Sequence, residues 1–127
     1  MKSLFASAAR MTGKSLPGAL VFGALTLAAA HADPVGQYTV EGRGPDGGGY
    51  SGVAVIEPQG DAFKVTWVIA REKFVGTAVG NENFFAVAYR SGSSTGIAVY
   101  GKDGDGWLGA WTYTGGTKIG TERLTRR

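Results

Sequence analysis

The chain of 127 residues contains no cysteine and a single histidine, His31. Without thiols there is neither a disulfide framework nor a thiolate metal site. The one imidazole also lies in a segment that reads as removable. Residues 1–32 carry the three parts of a secretory signal peptide, whose helix would precede the folded domain. They are cations at Lys2, Arg10 and Lys14, an apolar stretch from Leu20 to Ala30, and the small-residue site Ala30-His31-Ala32. Cleavage there leaves residues 33–127 as one domain with no imidazole and no thiol. Nucleophile–base pairs built on His or Cys are excluded from that product. Long hydrophobic runs are lacking too. The leader's apolar run is shorter than the ~20 residues that span a bilayer, so no stable membrane insertion is expected after processing. No cysteine follows the cleavage site to take a lipid, and the leader has no arginine pair. An exported product, periplasmic or secreted, is therefore expected.

An excess of one charge is missing from the mature segment. The formal net charge is +3, but the surplus cations are the leader's own, and all ten Asp and Glu residues lie beyond residue 32. No basic footprint for nucleic acid remains. The C-terminal cluster Arg123, Arg126 and Arg127 reads as a solvated tail. Metal and phosphate signals are incomplete. Asp103-Gly104-Asp105-Gly106 alternates carboxylates as calcium loops do, yet it lacks the later ligands and the bidentate Glu, and a hairpin turn explains it. The run from Gly42 to Gly49 has no G-K-[ST] sequel and no helix to follow it. It reads as a mobile connection able to act as a lid. No metal and no cofactor is expected.

Glycine, by contrast, is abundant at 22 residues, and apolar alternation with period two runs through the mature segment. Phe63, Val65, Trp67 and Ile69 share one face of a strand, with Lys64 and Thr66 between them. Trp107, Gly109, Trp111 and Tyr113 repeat the pattern, as do Tyr50, Gly52, Ala54 and Ile56. Turn signals separate such runs. Eight strands are predicted over 36–42, 50–57, 62–70, 73–81, 84–90, 94–102, 107–114 and 118–125. A weak internal repeat marks three hairpins. Gly52-Val53-Ala54-Val55, Gly76-Thr77-Ala78-Val79 and Gly96-Ile97-Ala98-Val99 begin them, and Trp67, Tyr89 and Trp111 follow on their second strands. Short connections favour antiparallel neighbours, and eight strands in meander order close into an up-and-down β-barrel without free edges. The alternative all-β arrangement is a two-sheet β-sandwich.

Gly36-Gln37-Tyr38 opens the first strand and Arg123 lies on the last. This resembles the calycin superfamily (lipocalins, fatty-acid-binding proteins and avidins), in which a G-x-W motif meets a basic side chain that closes the barrel. Here Tyr38 stands where that family has Trp. The resemblance implies a calycin-like barrel in which Arg123 closes over the Tyr38 ring. Over the whole mature region the chain is also similar to small exported bacterial proteins of uncharacterised function. The likeness lies in Gly36–Gly42, Phe63–Trp67, Gly109–Thr112 and Gly120–Leu124. Some of those proteins carry a fibronectin-binding label, so that resemblance alone implies contact with extracellular matrix.

The residues themselves point to a non-enzymatic binding protein. Trp67, Tyr89, Tyr100 and Trp111 recur at comparable places in the hairpins, among small neighbours such as Gly76, Ala78, Gly96 and Ala98. Large rings beside small residues either enclose a pocket for a small apolar or aromatic molecule or interdigitate into a filled core. Some strands are apolar on both faces. Phe85, Val87 and Tyr89, with Ile97 and Val99, are candidates for an outer interface with a protein partner or a second copy, a homodimer. A third reading is a small barrel enzyme. It requires one inward carboxylate among Glu41, Glu57, Glu72, Glu82 and Glu122.

Overall fold

A computed structural model describes residues 34–127, so the expected signal peptide over residues 1–32, its helix included, lies outside the described residues. Eight strands follow one another: β1 (Gly36–Arg43), β2 (Gly49–Gln59), β3 (Ala62–Ile69), β4 (Glu72–Gly80), β5 (Phe84–Ser91), β6 (Ser94–Asp103), β7 (Gly106–Tyr113) and β8 (Gly120–Arg126). Each pairs antiparallel with the next, and β8 returns to β1, which closes the barrel. The returning ladder sets Val40 opposite Leu124 and Gly42 opposite Glu122. One continuous closed sheet excludes the two-sheet sandwich, and every strand edge is used.

The strands form where period-two alternation is cleanest. In β3, Val65 and Trp67 are buried, while Lys64 and Val68 on either side of them face solvent. Two-residue turns join four of the hairpins. Three of these, Gly60-Asp61, Gly92-Ser93 and Gly104-Asp105, put glycine with positive φ at the first central position. That placement follows the twist of the flanking strands without a Cβ clash. The fourth, Ala70-Arg71, puts an alanine there, with φ 57°.

Inside, the two ends of the barrel differ. The end that gathers residue 34, the C-terminus and the β2–β3, β4–β5 and β6–β7 turns is filled. Tyr38 donates to the Pro34 carbonyl at 2.7 Å and accepts from Trp107 Nε1 at 3.2 Å. Trp107 stands edge-on to Phe85, with centroids 4.8 Å apart, and Phe85 stacks on Tyr100 at 4.6 Å. Such pairs contribute ~0.5–1.5 kcal/mol each beyond their burial.

The residue that closes this end is Arg126, not Arg123. The Arg126 guanidinium lies 5.0 Å over the Tyr38 ring and donates to the Val35 carbonyl at 2.9 Å. Arg123 points outward and pairs with Asp103 at 2.5 Å. Strand parity is the cause. On β8, Leu124 is fully buried, so Glu122 and Arg126 share its inward side while Thr121, Arg123 and Thr125 face out.

Parity also corrects the outer interface. Phe85, Val87 and Tyr89 point into the barrel and are buried. Their neighbour Phe84 is the outward ring, 51% exposed, on the side that carries Arg90. Ile97 and Val99 do face outward, and with Phe84, Val79 and Leu108 they make up the exposed apolar surface of this wall. Phe85, Val87 and Tyr89 are core residues rather than part of an outer face.

Candidate functional site

The opposite end is hollow. It is bounded by the β1–β2, β3–β4, β5–β6 and β7–β8 connections, and a cavity of about 190 Å³ descends from it into the barrel. The register explains the space. At this level β2, β4 and β6 contribute Gly52 and Ala54, Gly76 and Ala78, and Gly96 and Ala98. Trp67, Tyr89 and Trp111 stand on the strands between, with Trp67 opposite Ala54, Tyr89 opposite Gly76 and Trp111 opposite Ala98. Small and large residues thus alternate around the wall, as the internal repeat of the sequence foreshadows.

Glycine also lets the rings lie flat against the wall. A Cβ on Gly96 would sit 2.2 Å from Tyr89 Oη, and one on Gly109 2.4 Å from the Tyr100 ring. The rings therefore line the barrel instead of crossing it. Five edge-on contacts tie the mouth together: Trp67–Tyr89 at 5.8 Å, Phe74–Tyr89 at 6.1 Å, Tyr89–Trp111 at 6.4 Å, Tyr50–Trp111 at 6.1 Å and Trp111–Tyr113 at 5.2 Å.

All four expected ligand-binding residues, Trp67, Tyr89, Tyr100 and Trp111, line this cavity. The sequence reading did not single out Tyr50, Phe74, Tyr113 or Glu122 for it. Each shares strand parity with a residue that must face inward: Tyr50 with Ile56, Phe74 with Ala78, Tyr113 with Trp107 and Glu122 with Leu124. The glycine-rich connection is tied by hydrogen bonds of its own. Gly44 N–H donates to Gly48 O and Gly47 N–H to Gly44 O, both at 2.8 Å, while Asp46 Oδ1 accepts from Gly48 N–H at 3.0 Å.

Glu122 is the one buried charged residue among the described residues, 5% exposed. Three neutral donors hold it. Tyr50 Oη donates to Oε1 at 2.7 Å; Trp67 Nε1 and Tyr100 Oη donate to Oε2 at 3.0 and 2.5 Å. Burial raises its carboxyl above the ordinary 4.5, against the opposing pull of the Tyr100, Tyr50 and Trp67 donors. Burial raises the surrounding phenols as well, and the Glu122 charge adds to the rise at each. Tyr89 is pushed up to about 12, and Tyr50 and Tyr100 go well above 10. One indole remains unsatisfied. Trp111 Nε1 is buried and has no hydrogen-bond partner among the described residues.

No family model, no curated protein and no solved structure matches this chain. The functional reading rests on the cavity alone. Among the described residues no cluster of His, Asp or Glu is arranged to hold a metal ion. Nor does any helix there have the length and apolarity to cross a membrane.

Proposed function

We propose that the chain is an exported, non-enzymatic binding protein that takes up a small, largely apolar molecule through the open end of its barrel. The observation that carries this reading is the 190 Å³ cavity itself, walled by Tyr50, Trp67, Phe74, Tyr89, Trp111 and Tyr113. An engineered apolar cavity of ~150 Å³ is already large enough to take benzene, so a one-ring molecule fits this volume. Mostly apolar walls with a few fixed polar groups are the usual make-up of ligand pockets.

The state of Glu122 supports holding rather than turnover. A general base needs a lone pair within reach of the proton it removes. Three of the roughly four acceptor positions on this carboxylate are already filled by Tyr50, Trp67 and Tyr100.

Titration of the purified protein with toluene and with indole, followed by amide and indole NMR shifts, tests the proposal. Saturable shifts confined to the cavity-lining residues are expected, and Trp111→Ala should abolish them. Phe74→Ala, at the mouth and away from the Glu122 network, should weaken binding while leaving the fold unchanged. No saturable shift with either ligand, or shifts centred on the outer wall, would overturn the reading.

A further inference from the structure

Resting on that binding reading, we infer that the ligand class is a quaternary ammonium: a small organic cation held by ring faces above the Glu122 carboxylate. Three observations converge on this choice. The cavity wall is built from aromatic rings on β2, β3, β4, β5 and β7, and each ring face is a region of negative potential. At its floor stands a carboxylate held by neutral donors only, and no Lys or Arg lines the cavity. Ring quadrupoles and carboxylate thus favour positive charge in a mostly apolar space open at one end, with the Trp111 N–H as the one unpartnered donor among the described lining residues. A cation is the ligand that such a field attracts.

The choice of a quaternary over a primary ammonium follows from the hydrogen bonds. The Glu122 oxygens are nearly saturated by Tyr50, Trp67 and Tyr100. A primary ammonium brings three N–H groups that must be satisfied once they leave water, and the apolar walls offer few acceptors. A quaternary ammonium has no N–H to satisfy. Its methyl groups pack on the rings while its charge is felt by Glu122 through space.

Proton linkage gives the proposal a second handle. The titratable groups facing Glu122 within the barrel are Tyr50 on β2, Tyr89 on β5, Tyr100 on β6 and Tyr113 on β7. The three phenols with raised pKa stay neutral well beyond pH 8. Arg43, Arg123 and Glu41 lie on the outward-facing side of β1 and β8. Glu122 is therefore the inward group whose titration, raised by burial above the ordinary carboxylate value, couples to a bound charge. A bound cation favours its ionised form, so cation affinity should rise as pH climbs through the Glu122 titration. A neutral ligand should show no such rise.

The test is calorimetric titration of the intact protein with choline and with 3,3-dimethylbutan-1-ol, the neutral isostere in which carbon replaces the charged nitrogen. Ethanolamine serves as the primary-amine control. Choline should bind about tenfold or more tighter than the isostere, with ethanolamine weaker than choline. In Glu122→Gln the preference for choline over the isostere should fall towards unity, whatever the absolute affinities. In the unmodified protein the preference should grow as pH rises above the ordinary carboxylate value of 4.5, a readout that does not depend on the variant folding. Equal or tighter binding of the isostere, or a preference independent of pH, overturns the cation assignment and leaves an apolar pocket standing. Failure of choline, isostere, toluene and indole alike overturns the pocket reading itself.

Discussion

At the residue scale, Glu122 ties the chemistry of the barrel to its stability. Its two oxygens satisfy three donors, two of them on nearly buried side chains, Trp67 and Tyr100. Glu122→Leu keeps the volume but leaves those donors without an acceptor, at ~1–3 kcal/mol for each buried one. A loss of about 2–4 kcal/mol in urea denaturation is expected. Glu122→Gln should cost far less, because its carbonyl can replace Oε2 and the Tyr50 hydroxyl can turn to accept from its amide. Equal losses in the two variants would refute this account of the network. The sign of the pH dependence follows from the raised carboxyl. The folded state keeps its proton to higher pH than the unfolded chain, so the stabilising contribution is whole below the ordinary value of 4.5. It is lost as pH climbs through the folded-state value, by at most ~1.4 kcal/mol per pH unit. Stability of the unmodified protein should fall over that window relative to Glu122→Gln.

Side-chain parity decides how much of this was legible beforehand. The ring set Trp67, Tyr89, Tyr100 and Trp111 could be read because the rings recur at comparable places in the hairpins beside small residues, although the outward facing expected of Tyr89 as an interface residue was not borne out. Glu122 and Arg126 could not be read as easily, because β8 has one long apolar anchor, Leu124, and polar residues on both faces. Once Leu124 is taken as inward, Glu122 and Arg126 follow, and Arg123 is assigned to solvent. The pair Phe84-Phe85 was ambiguous for a similar reason, since two adjacent rings carry no alternation. Arg90, an even number of residues from Phe84, is the sequence signal that puts Phe84 outside.

At the scale of the hairpin, turn chemistry explains what could and could not be seen. The turns at Gly60, Gly92 and Gly104 announce themselves, because glycine holds the left-handed position. The β3–β4 turn carries no such mark, and β3 was expected to run on through Ala70. Two-residue geometry nonetheless forces Ala70 to φ 57°, a region that costs a residue with a Cβ ~1–2 kcal/mol. Ala70→Gly relieves that strain and loses part of the gain to the greater freedom of glycine in the unfolded chain. A net stabilisation of about 0.5–1 kcal/mol is expected, visible as a higher urea midpoint with an unchanged slope. A destabilised Ala70→Gly would mean that the turn is not strained. The same hairpins show why the cavity escaped a firm reading. Rings beside glycines are compatible with a filled or a hollow interior. The decision comes from Tyr89 lying against Gly96 and Tyr100 against Gly109, and those contacts cross between strands.

At the scale of the whole molecule, strand count, order and handover from one hairpin to the next were all readable, because a meander asks only for short links and alternation. Closure was the step that needed long-range information, namely which residues of β8 meet β1. That ladder runs from Tyr38 opposite Arg126 to Arg43 opposite Thr121, and beyond it the Arg127 N–H donates to the Gln37 carbonyl at 2.9 Å. The two ends of the described chain are therefore neighbours, on the side of the barrel away from the cavity. Chain order is then incidental to the architecture. A circular permutant that links Arg127 to Pro34 through a few glycines and opens the backbone at Gly47-Gly48 should fold to the same barrel. Such a molecule would begin and finish beside the cavity, so a fluorophore fused at either new terminus would hang over the entrance and report directly on what passes through it.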